Sequence, residues 1–463
     1  MVRRLFGAGW GLRAGRFLAA AVVLCGSPWA GAQSGAANVP DAPDASRGAR
    51  PRALPDRLPD KPSQPPAFTI PVEPLGFSAP GPIYLGQRAS IVSLDFLDEN
   101  RLLFTFRVPG LIRRAGGDSD TGEERQIRAV VLTLPAGTVE AEALWTVHDR
   151  ARYLWMLKDG HFLLRDRENL QVGDATLELK PFLRFPGPLL WLEMDPAQQF
   201  LVTASREKAG AAEKPGEVPS PPTAAASISV DGQKADGAPP LVVRILRRDS
   251  GQVMLFSRVR TTVHLPINSD GYLESIRARG AAWLVNLKYF SGGSRILGQV
   301  ESACSPAFDF ISQRELLMTG CLPSGADKLV ALTTDGRRLW EDRAAETSVW
   351  PLVVMSPDGE RLAREALAVT HPVNAYSPLA QEDIKGQLVE VLDAADGKMA
   401  LVTSASPPLD GGGNVSISPA GRRVAVLSAG AIQVFELPMA PPGQSALQPA
   451  NQPTNQPTNQ QAR

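Results

Sequence analysis

Apolar and polar residues alternate with a period of two along much of this chain. The pattern is clear in RLLFTFRV at residues 101–108, and it returns in QIRAVVLTL, LVVRILRR, RRVAVLS and AIQVFEL. Such alternation is typical of β-strands whose two faces meet different surroundings. Helical periodicity is weak; only GERLAREALA at residues 359–368 has a helix-forming composition, and the turn before it favours a strand for its first half. The pattern predicts an all-β protein.

One type of tight turn recurs between the predicted strands. SPDGERLA at residues 356–363 and SPAGRRVA at 418–425 each join two strands through a Ser-Pro-x-Gly turn. Weaker versions occur around Asp98, Asp159, Ala197, Arg279 and Gln313, which makes seven turns in all. A second hairpin follows many of them, as in LPAGTVEAEALW, RDSGQVML, TTDGRRLW and DAADGKMAL. A repeated unit of this kind predicts the blades of a β-propeller.

Four segments lie outside the repeats, and their removal gives the number of blades. Residues 1–32 form a leader, residues 33–66 are rich in Pro and Ala, residues 207–240 are a low-complexity insertion, and residues 440–463 are a tail rich in Gln, Asn and Pro. The last three have too few large apolar residues to offset the entropy of ordering, so we predict that they are disordered. The propeller then spans residues 67–439. The 339 residues that remain give about 48 per blade for seven blades. Six and eight blades are the alternatives.

The two Ser-Pro turns resemble the S-P-D-G-x-x-L/I-A hairpin of exported bacterial β-propellers of the WD-repeat-like superfamily. TTDGRRLWEDR at residues 333–343 resembles the strand end of quinoprotein-like (PQQ-type) repeats. The resemblance covers roughly residues 75–438 and implies a fold more than a chemistry, because its Gly and Asp serve turns and its Trp serves packing. Quinoprotein dehydrogenases add a quinone, calcium and usually adjacent cysteines. This chain lacks that cysteine pair, so we predict no cofactor, with calcium or a quinone as the alternative.

The first 32 residues have the pattern of a secretory signal peptide. Four arginines (Arg3, Arg4, Arg13 and Arg16) precede an apolar stretch from Phe17 to Cys25, and Ala30-Gly31-Ala32 forms a small-residue cleavage site. We expect cleavage after Ala32 and a periplasmic or extracellular location. Leu24 stands where a lipoprotein would have a small residue before Cys25, which argues against lipidation.

Charge and hydrophobicity exclude several classes of partner. The full chain has 48 basic and 48 acidic residues, so it is not a strongly basic nucleic-acid binder. No later segment approaches the roughly 18 apolar residues of a membrane span. We expect a monomer without a stable membrane span, whose partner is a protein or a glycan.

Cleavage of the signal peptide would leave Cys304 and Cys321 as the two cysteines of the exported chain. In an oxidising compartment two such thiols are expected to pair, closing a short loop. Two buried free thiols are the alternative. A metal site is disfavoured because no histidine lies near either cysteine in the sequence.

Local motifs for catalysis are missing from the sequence. The four histidines, His148, His161, His264 and His371, are too far apart to form a metal-binding pair of the H-x-x-x-H type. No G-x-S-x-G elbow or Walker phosphate loop occurs. We therefore predict no catalytic or metal-binding residues from local motifs.

The densest group of polar and aromatic residues lies between the first two predicted blades. Its members, which we interpret as a candidate binding surface, are Trp145, His148, Asp149, Arg150, Arg152 and Arg167. The arginines could donate forked hydrogen bonds to a carboxylate of a ligand or partner. The alternative is a network of salt bridges between blades, with Trp145 packed between sheets, and we favour this alternative.

Two classes of function remain. The first is a non-catalytic propeller that serves as a binding or scaffold module for a protein or glycan. The second is an enzyme such as a lactonase, a glycosidase or a quinoprotein-type dehydrogenase, with its site in the central channel. The enzyme hypothesis predicts that acids such as Asp95, Asp195 and Asp309 converge on one axis. The repeated sequence around Asp95 and Asp309 favours a structural role, and therefore the binding module.

Overall fold

The computed structural model describes residues 52–53, 58–78, 92–109, 113–114, 123–148, 152–207, 217–218, 241–259, 264–345, 347–372, 379–409 and 411–439. The predicted signal peptide, the predicted tail and most of the predicted linker and insertion lie outside these residues. Across the described ranges, no helix is long and apolar enough to cross a membrane.

The described residues form seven sheets of β-strands, which confirms the predicted seven-bladed β-propeller. Two strands precede the first blade: β1 (Arg52–Ala53) and β2 (Phe68–Pro71). Blade 1 contains β3 (Val92–Asp98), β4 (Arg101–Arg107), β5 (Arg113–Arg114), β6 (Glu123–Thr133) and β7 (Thr138–Val147). Blade 2 contains β8 (Leu154–Met156), β9 (Phe162–Asp166), β10 (Asn169–Gly173) and β11 (Lys180–Arg184). Blade 3 contains β12 (Leu189–Met194), β13 (Phe200–Arg206), β14 (Leu241–Arg247) and β15 (Val253–Val259).

The remaining four blades follow in the same order. Blade 4 contains β16 (Gly271–Arg277), β17 (Ala282–Tyr289) and β18 (Ser294–Glu301). Blade 5 contains β19 (Ala307–Phe310), β20 (Glu315–Cys321), β21 (Asp327–Thr333) and β22 (Arg338–Arg343). Blade 6 contains β23 (Ser348–Met355), β24 (Arg361–Val369), β25 (Ile384–Asp393) and β26 (Met399–Ala405). Blade 7 contains β27 (Val415–Ile417), β28 (Arg423–Ser428) and β29 (Ala431–Glu436), and β2 completes it. Two short 3₁₀ helices span Glu73–Leu75 and Gln381–Asp383.

The position of each strand within a blade explains its sequence. The second strands β4, β13 and β24 are buried along most of their length, because a neighbouring blade covers each face. The outermost strands are more exposed, and in β7 buried and accessible residues alternate towards its end. The segment GERLAREALA accordingly contains a strand and not a helix, since it contributes most of β24.

Hydrophobic clusters between consecutive blades hold the ring together. Phe104 of blade 1 shares a cluster with Leu427 and Val434 of blade 7, and this contact closes the ring. Leu362 of blade 6 packs with Trp340 of blade 5 in the same manner. The core is therefore divided among the interfaces between blades.

The predicted turns lie at the end of the first strand in six of the seven blades. In the turn before β24, Gly359 has a φ of 79°, and a Cβ there would lie 2.7 Å from the carbonyl oxygen of Ile311 in blade 5. The turn therefore needs glycine both for its backbone conformation and for close packing of the blades.

Blade 4 differs from the sequence-based prediction. The turn around Arg279 joins β16 to β17, whereas the first turn of this blade lies at Asn268. Its innermost segment, residues 264–267, makes only an isolated bridge from Ile267 to Tyr272. Pro266 lies in this segment and cannot donate a backbone hydrogen bond, which explains the irregular geometry and the weak sequence signal.

The segment before β3 runs along the outer strands of three blades. β1 pairs in parallel with β22 of blade 5. The backbone N–H of Ser63 donates to the carbonyl oxygen of Val402 in blade 6 at 2.8 Å, and β2 pairs with β29 of blade 7. The C-terminal part of the predicted linker 33–66 thus contacts the propeller. Glu217 in the predicted insertion likewise bridges to Arg184 of blade 2.

Cys304 and Cys321 form the predicted disulfide, with their Cα atoms 5.4 Å apart. The bond ties the connection between blades 4 and 5 to the end of β20.

Replacement of both cysteines, Cys304→Ser with Cys321→Ser, is expected to lower the free energy of unfolding by about 3 kcal/mol. The disulfide closes a loop of 17 residues, and its loss restores chain entropy to the unfolded state. Urea unfolding of both proteins would measure the difference. Thiol titration of the unfolded wild-type chain from residue 33 onward should find no free cysteine; two titratable thiols would contradict the prediction.

Candidate functional site

Two of the three acids of the enzyme hypothesis lie in a common cluster, and the third does not. Asp95 on β3 and Asp309 on β19 are innermost-strand residues. Asp195 is buried in the first turn of blade 3, where it accepts hydrogen bonds from the N–H groups of Ala197 at 3.0 Å and Phe200 at 2.7 Å. Asp195 is therefore a turn residue, and the expectation that it joins the other two acids is wrong.

Five charged residues from five consecutive blades form what we call the channel cluster. Its members are Asp95, Arg152, Glu193, His264 and Asp309. Glu193 of blade 3 and Asp309 of blade 5 influence each other electrostatically, although blade 4 stands between them in the ring. Innermost strands of non-adjacent blades come close only near the axis of a propeller. The cluster therefore lies in the central channel.

The acids and the histidine lie at a similar level along the channel. Each stands two to four residues before the first turn of its own blade, which starts at Asp98, Asp195, Asn268 or Ser312. Arg152 precedes β8 and extends to the same group. The seven-fold repeat of the strands thus brings side chains that are distant in sequence to one place.

His264 is the most tightly held member of the channel cluster. Its Nδ1 contacts the carboxylate of Glu193, and its Nε2 contacts the carbonyl oxygen of Phe308 and lies 3.5 Å from Oδ1 of Asp309. Burial by itself would lower the pKa of His264, but the charge and hydrogen bond of Glu193, together with Asp309 and Phe308, raise it to about 10. His264 is consequently an imidazolium at neutral pH.

The carboxyl groups of Asp95 and Glu193 both have a raised pKa. For Asp95 burial is the main cause, and it outweighs a 2.5 Å hydrogen bond from Ser93 and the attraction of Arg152. For Glu193 burial is again the main cause, opposed by His264 and Arg152 and reinforced by Asp309. Partial removal of these acids from water disfavours their ionised form.

Arg152 is the exposed cation of the channel cluster. Its Nε donates to the carbonyl oxygen of Leu154 at 2.9 Å, and the guanidinium lies 5.4 Å from the ring centroid of Trp155. Burial of the surrounding channel lowers the pKa of Arg152, while Asp95 and Glu193 raise it. The hydrogen bond to Leu154 and the contact with Trp155 hold the arginine in place near Asp95 and Glu193.

The other members of the candidate binding surface occupy different surroundings. Trp145 is 6% exposed and packs against Phe162 with ring centroids 5.5 Å apart, as expected for a tryptophan between sheets. Nδ1 of His148 lies 2.9 Å from Oδ1 of Asp166. Arg167 has a φ of 54° in the turn between β9 and β10. Asp149 and Arg150 lie outside the described residues.

Glu193 and His264 are members of the site that the sequence analysis missed. Glu193 is an acid on the inner strand β12, as Asp95 is on β3 and Asp309 on β19, and this shared position is the signal that could have revealed it. His264 stands in the irregular inner segment of blade 4, where no alternation marks it. Trp191, also on β12, lies beside His264 with ring centroids 6.3 Å apart.

The charged groups do not have the geometry of a metal site. Within the described ranges, no group of three or more His, Cys, Asp or Glu side chains could hold a metal ion. The described groups of the cluster can supply hydrogen bonds, charge and, through the acids of raised pKa, protons.

Comparisons with known proteins show no family for this chain. No protein-family model matches the chain, and no curated protein sequence does so with adequate similarity. Acylaminoacyl peptidase from Pyrococcus horikoshii is 10% identical, with a TM-score of 0.42 over 73% of this chain and 49% of that one. An oligogalacturonate lyase in complex with manganese is 12% identical, with a TM-score of 0.41 over 76% of this chain and 98% of that one. The β-propeller domain of the Trilobed protease from Pyrococcus furiosus is 11% identical, with a TM-score of 0.40 over 75% of this chain and 94% of that one. This chain spans about half the length of the peptidase.

Proposed function

We propose that this protein is an exported, monomeric, non-catalytic β-propeller that binds a protein or glycan partner and holds part of it in the central channel. In this proposal the protein is a member of the WD-repeat-like or PQQ-repeat-like propellers and works without a cofactor. The proposal is supported above all by the state of His264.

Both ring nitrogens of His264 are occupied by protein groups, and its pKa is raised to about 10. A general base must accept a proton near neutral pH, and an imidazolium held between two partners does not. The histidine instead supplies a fixed positive charge that orients Glu193. A site of fixed charges and oriented hydrogen-bonding groups is suited to recognition.

A second candidate, a channel enzyme, is favoured by the raised pKa of Asp95 and Glu193. A raised pKa favours the protonated form that a general acid needs, and perturbed titration is common in active sites. The candidate would need a nucleophile or base besides His264.

Turnover assays distinguish the two candidates. The purified protein would be tested with chromogenic lactones, chromogenic glycosides and a dye-linked dehydrogenase assay, beside Glu193→Gln and the surface control Asp159→Asn. We expect no turnover above background for any of the three proteins. Turnover that Glu193→Gln abolishes and Asp159→Asn preserves would establish the enzyme instead. Mass and metal analysis of the exported protein should find nothing bound; stoichiometric calcium or a quinone would also contradict the proposal.

A further inference from the structure

The channel cluster presents hydrogen-bond donors at one point. Nε of Arg152 donates a hydrogen bond to the carbonyl oxygen of Leu154. No described residue accepts a hydrogen bond from the two terminal amino groups of Arg152. The guanidinium is held over Trp155, so its direction is fixed before any ligand arrives. These amino groups form a planar fork of donors.

Hydrogen-bond acceptors lie near this fork, at Asp95 and Glu193, and beside His264, at Asp309. One carboxyl oxygen of Asp95 accepts a hydrogen bond from Ser93, and one of Glu193 contacts His264. One carboxyl oxygen of Asp309 lies near the imidazole ring of His264. The second oxygen of each carboxyl group has no hydrogen-bond partner in the described part of the chain. Glu193 and His264 are about a quarter exposed and Asp309 is 39% exposed, so a ligand in the channel can reach them.

The charges of the channel cluster select against charged ligands. An anion bound to Arg152 would lie near the carboxyl groups of Asp95 and Glu193, and a cation bound to Glu193 or Asp309 would lie near the imidazolium of His264. A charge of either sign that leaves part of its water to enter the channel therefore meets a like charge there, which is costly unless the charge is fully paired. A neutral ligand that both donates and accepts avoids these costs, and hydroxyl groups do both.

An aromatic surface accompanies the polar groups. Trp191 is partly exposed beside His264, and the apolar face of a sugar ring can pack on such an indole. Alternating hydroxyl groups and an apolar face are the features of a saccharide.

We propose that the channel cluster binds the hydroxyl-rich end of a neutral glycan, with Arg152 and Asp309 as direct contacts. The inference rests on the proposed binding function, because it names the ligand class of the same site.

The test uses the full chain secreted from an expression host and three disaccharide probes that share one scaffold. Their terminal residue is glucose, glucuronic acid or glucosamine, and an array of other neutral oligosaccharides accompanies them. Calorimetry should show that a neutral glycan binds at least tenfold more tightly than its anionic and cationic analogues. Arg152→Met should weaken that binding at least tenfold, and Asp309→Asn several-fold, while the exposed control Arg279→Met leaves it unchanged.

The outcomes separate the ligand class from the proposed function. If a charged analogue binds more tightly and its binding depends on Arg152, the ligand is not a neutral glycan, but the proposed binding function stands. Binding of no neutral glycan, or binding that both Arg152→Met and Asp309→Asn leave intact, would overturn the inference. Conversion of a bound probe would overturn the non-catalytic function. Circular dichroism of each variant checks folding, and Asp309→Asn serves as the readout if Arg152→Met does not fold.

Discussion

The free energy of unfolding of this protein is expected to fall as the pH rises from about 4.5 to about 8, and Glu365→Gln should remove a large part of that decrease. Glu365 on β24 is 1% exposed and accepts one hydrogen bond, from Nε2 of Gln387 at 2.6 Å. Burial raises the pKa of Glu365 to about 8, against the smaller opposing effect of Gln387. The carboxyl group is therefore protonated in the folded protein at neutral pH.

The sign of the effect follows from proton linkage. Below about pH 4.5 both the folded and the unfolded chain hold the proton, so Glu365 makes no pH-dependent difference. Between about 4.5 and 8 the unfolded chain has lost the proton and the folded chain has not, so stability decreases with pH. The full loss, reached above pH 8, is about 5 kcal/mol.

Urea unfolding at pH 5, 6.5 and 8.5 would measure this decrease. Asp95, Glu193 and His264 also make stability fall with rising pH, because the pKa of each is raised in the folded protein. The informative quantity is therefore the difference between the wild type and Glu365→Gln, which keeps the hydrogen bond from Gln387. Glu178→Gln, at an exposed site, is the control. Equal pH dependence in the wild type and Glu365→Gln would refute the assignment.

Deletion of residues 1–71, which removes β2, is expected to destabilise the ring by more than about 5 kcal/mol. β2 pairs with β29 along four residues, from Phe68 opposite Val434 to Pro71 opposite Ala431. Ile70 is buried in the hydrophobic cluster between blades 7 and 1. The loss of one buried isoleucine costs about 2–5 kcal/mol, and the unpaired edge of β29 adds to this.

A matched truncation shows whether the effect belongs to β2. A chain that begins at residue 58 loses β1 and keeps β2, so its urea midpoint should stay near that of the chain that begins at residue 33. Ile70→Ala in that longer chain should lose about 2–5 kcal/mol. A cooperative transition of normal midpoint after removal of residues 1–71 would show that blade 7 does not need β2.

The local sequence predicted the position of a blade wherever the turn after its first strand resembles the Ser-Pro-x-Gly pattern. Ser356, Asp358 and Gly359 form a turn that local hydrogen bonds close, so their pattern is visible in the sequence, although the N–H of Asp358 also donates to the carbonyl oxygen of Pro419 in blade 7. The fourth blade was misplaced because Pro266 interrupts its inner segment. The partner of β29 was missed because β2 lies far away in sequence, and no local pattern records such a pairing.

The site was harder to predict than the fold for a related reason. Alternation shows which residues share a face of a strand, but it does not show which innermost residues meet across the axis. Asp95 and Asp309 were found because they are acids on recognisable inner strands. Arg152 was singled out with neighbours in sequence such as His148, whereas its electrostatic partners are Asp95 and Glu193.

The pairing of β2 with β29 also sets the order in which the chain can fold during its synthesis. Pro71 and its partner Ala431 are 360 residues apart, so β2 is made long before the strand that it must join. The ring closes only after the last blade has emerged. A chain that stops before β29 retains an unpaired β2 and an uncovered face on blade 1, and we expect proteases to remove such incomplete chains selectively.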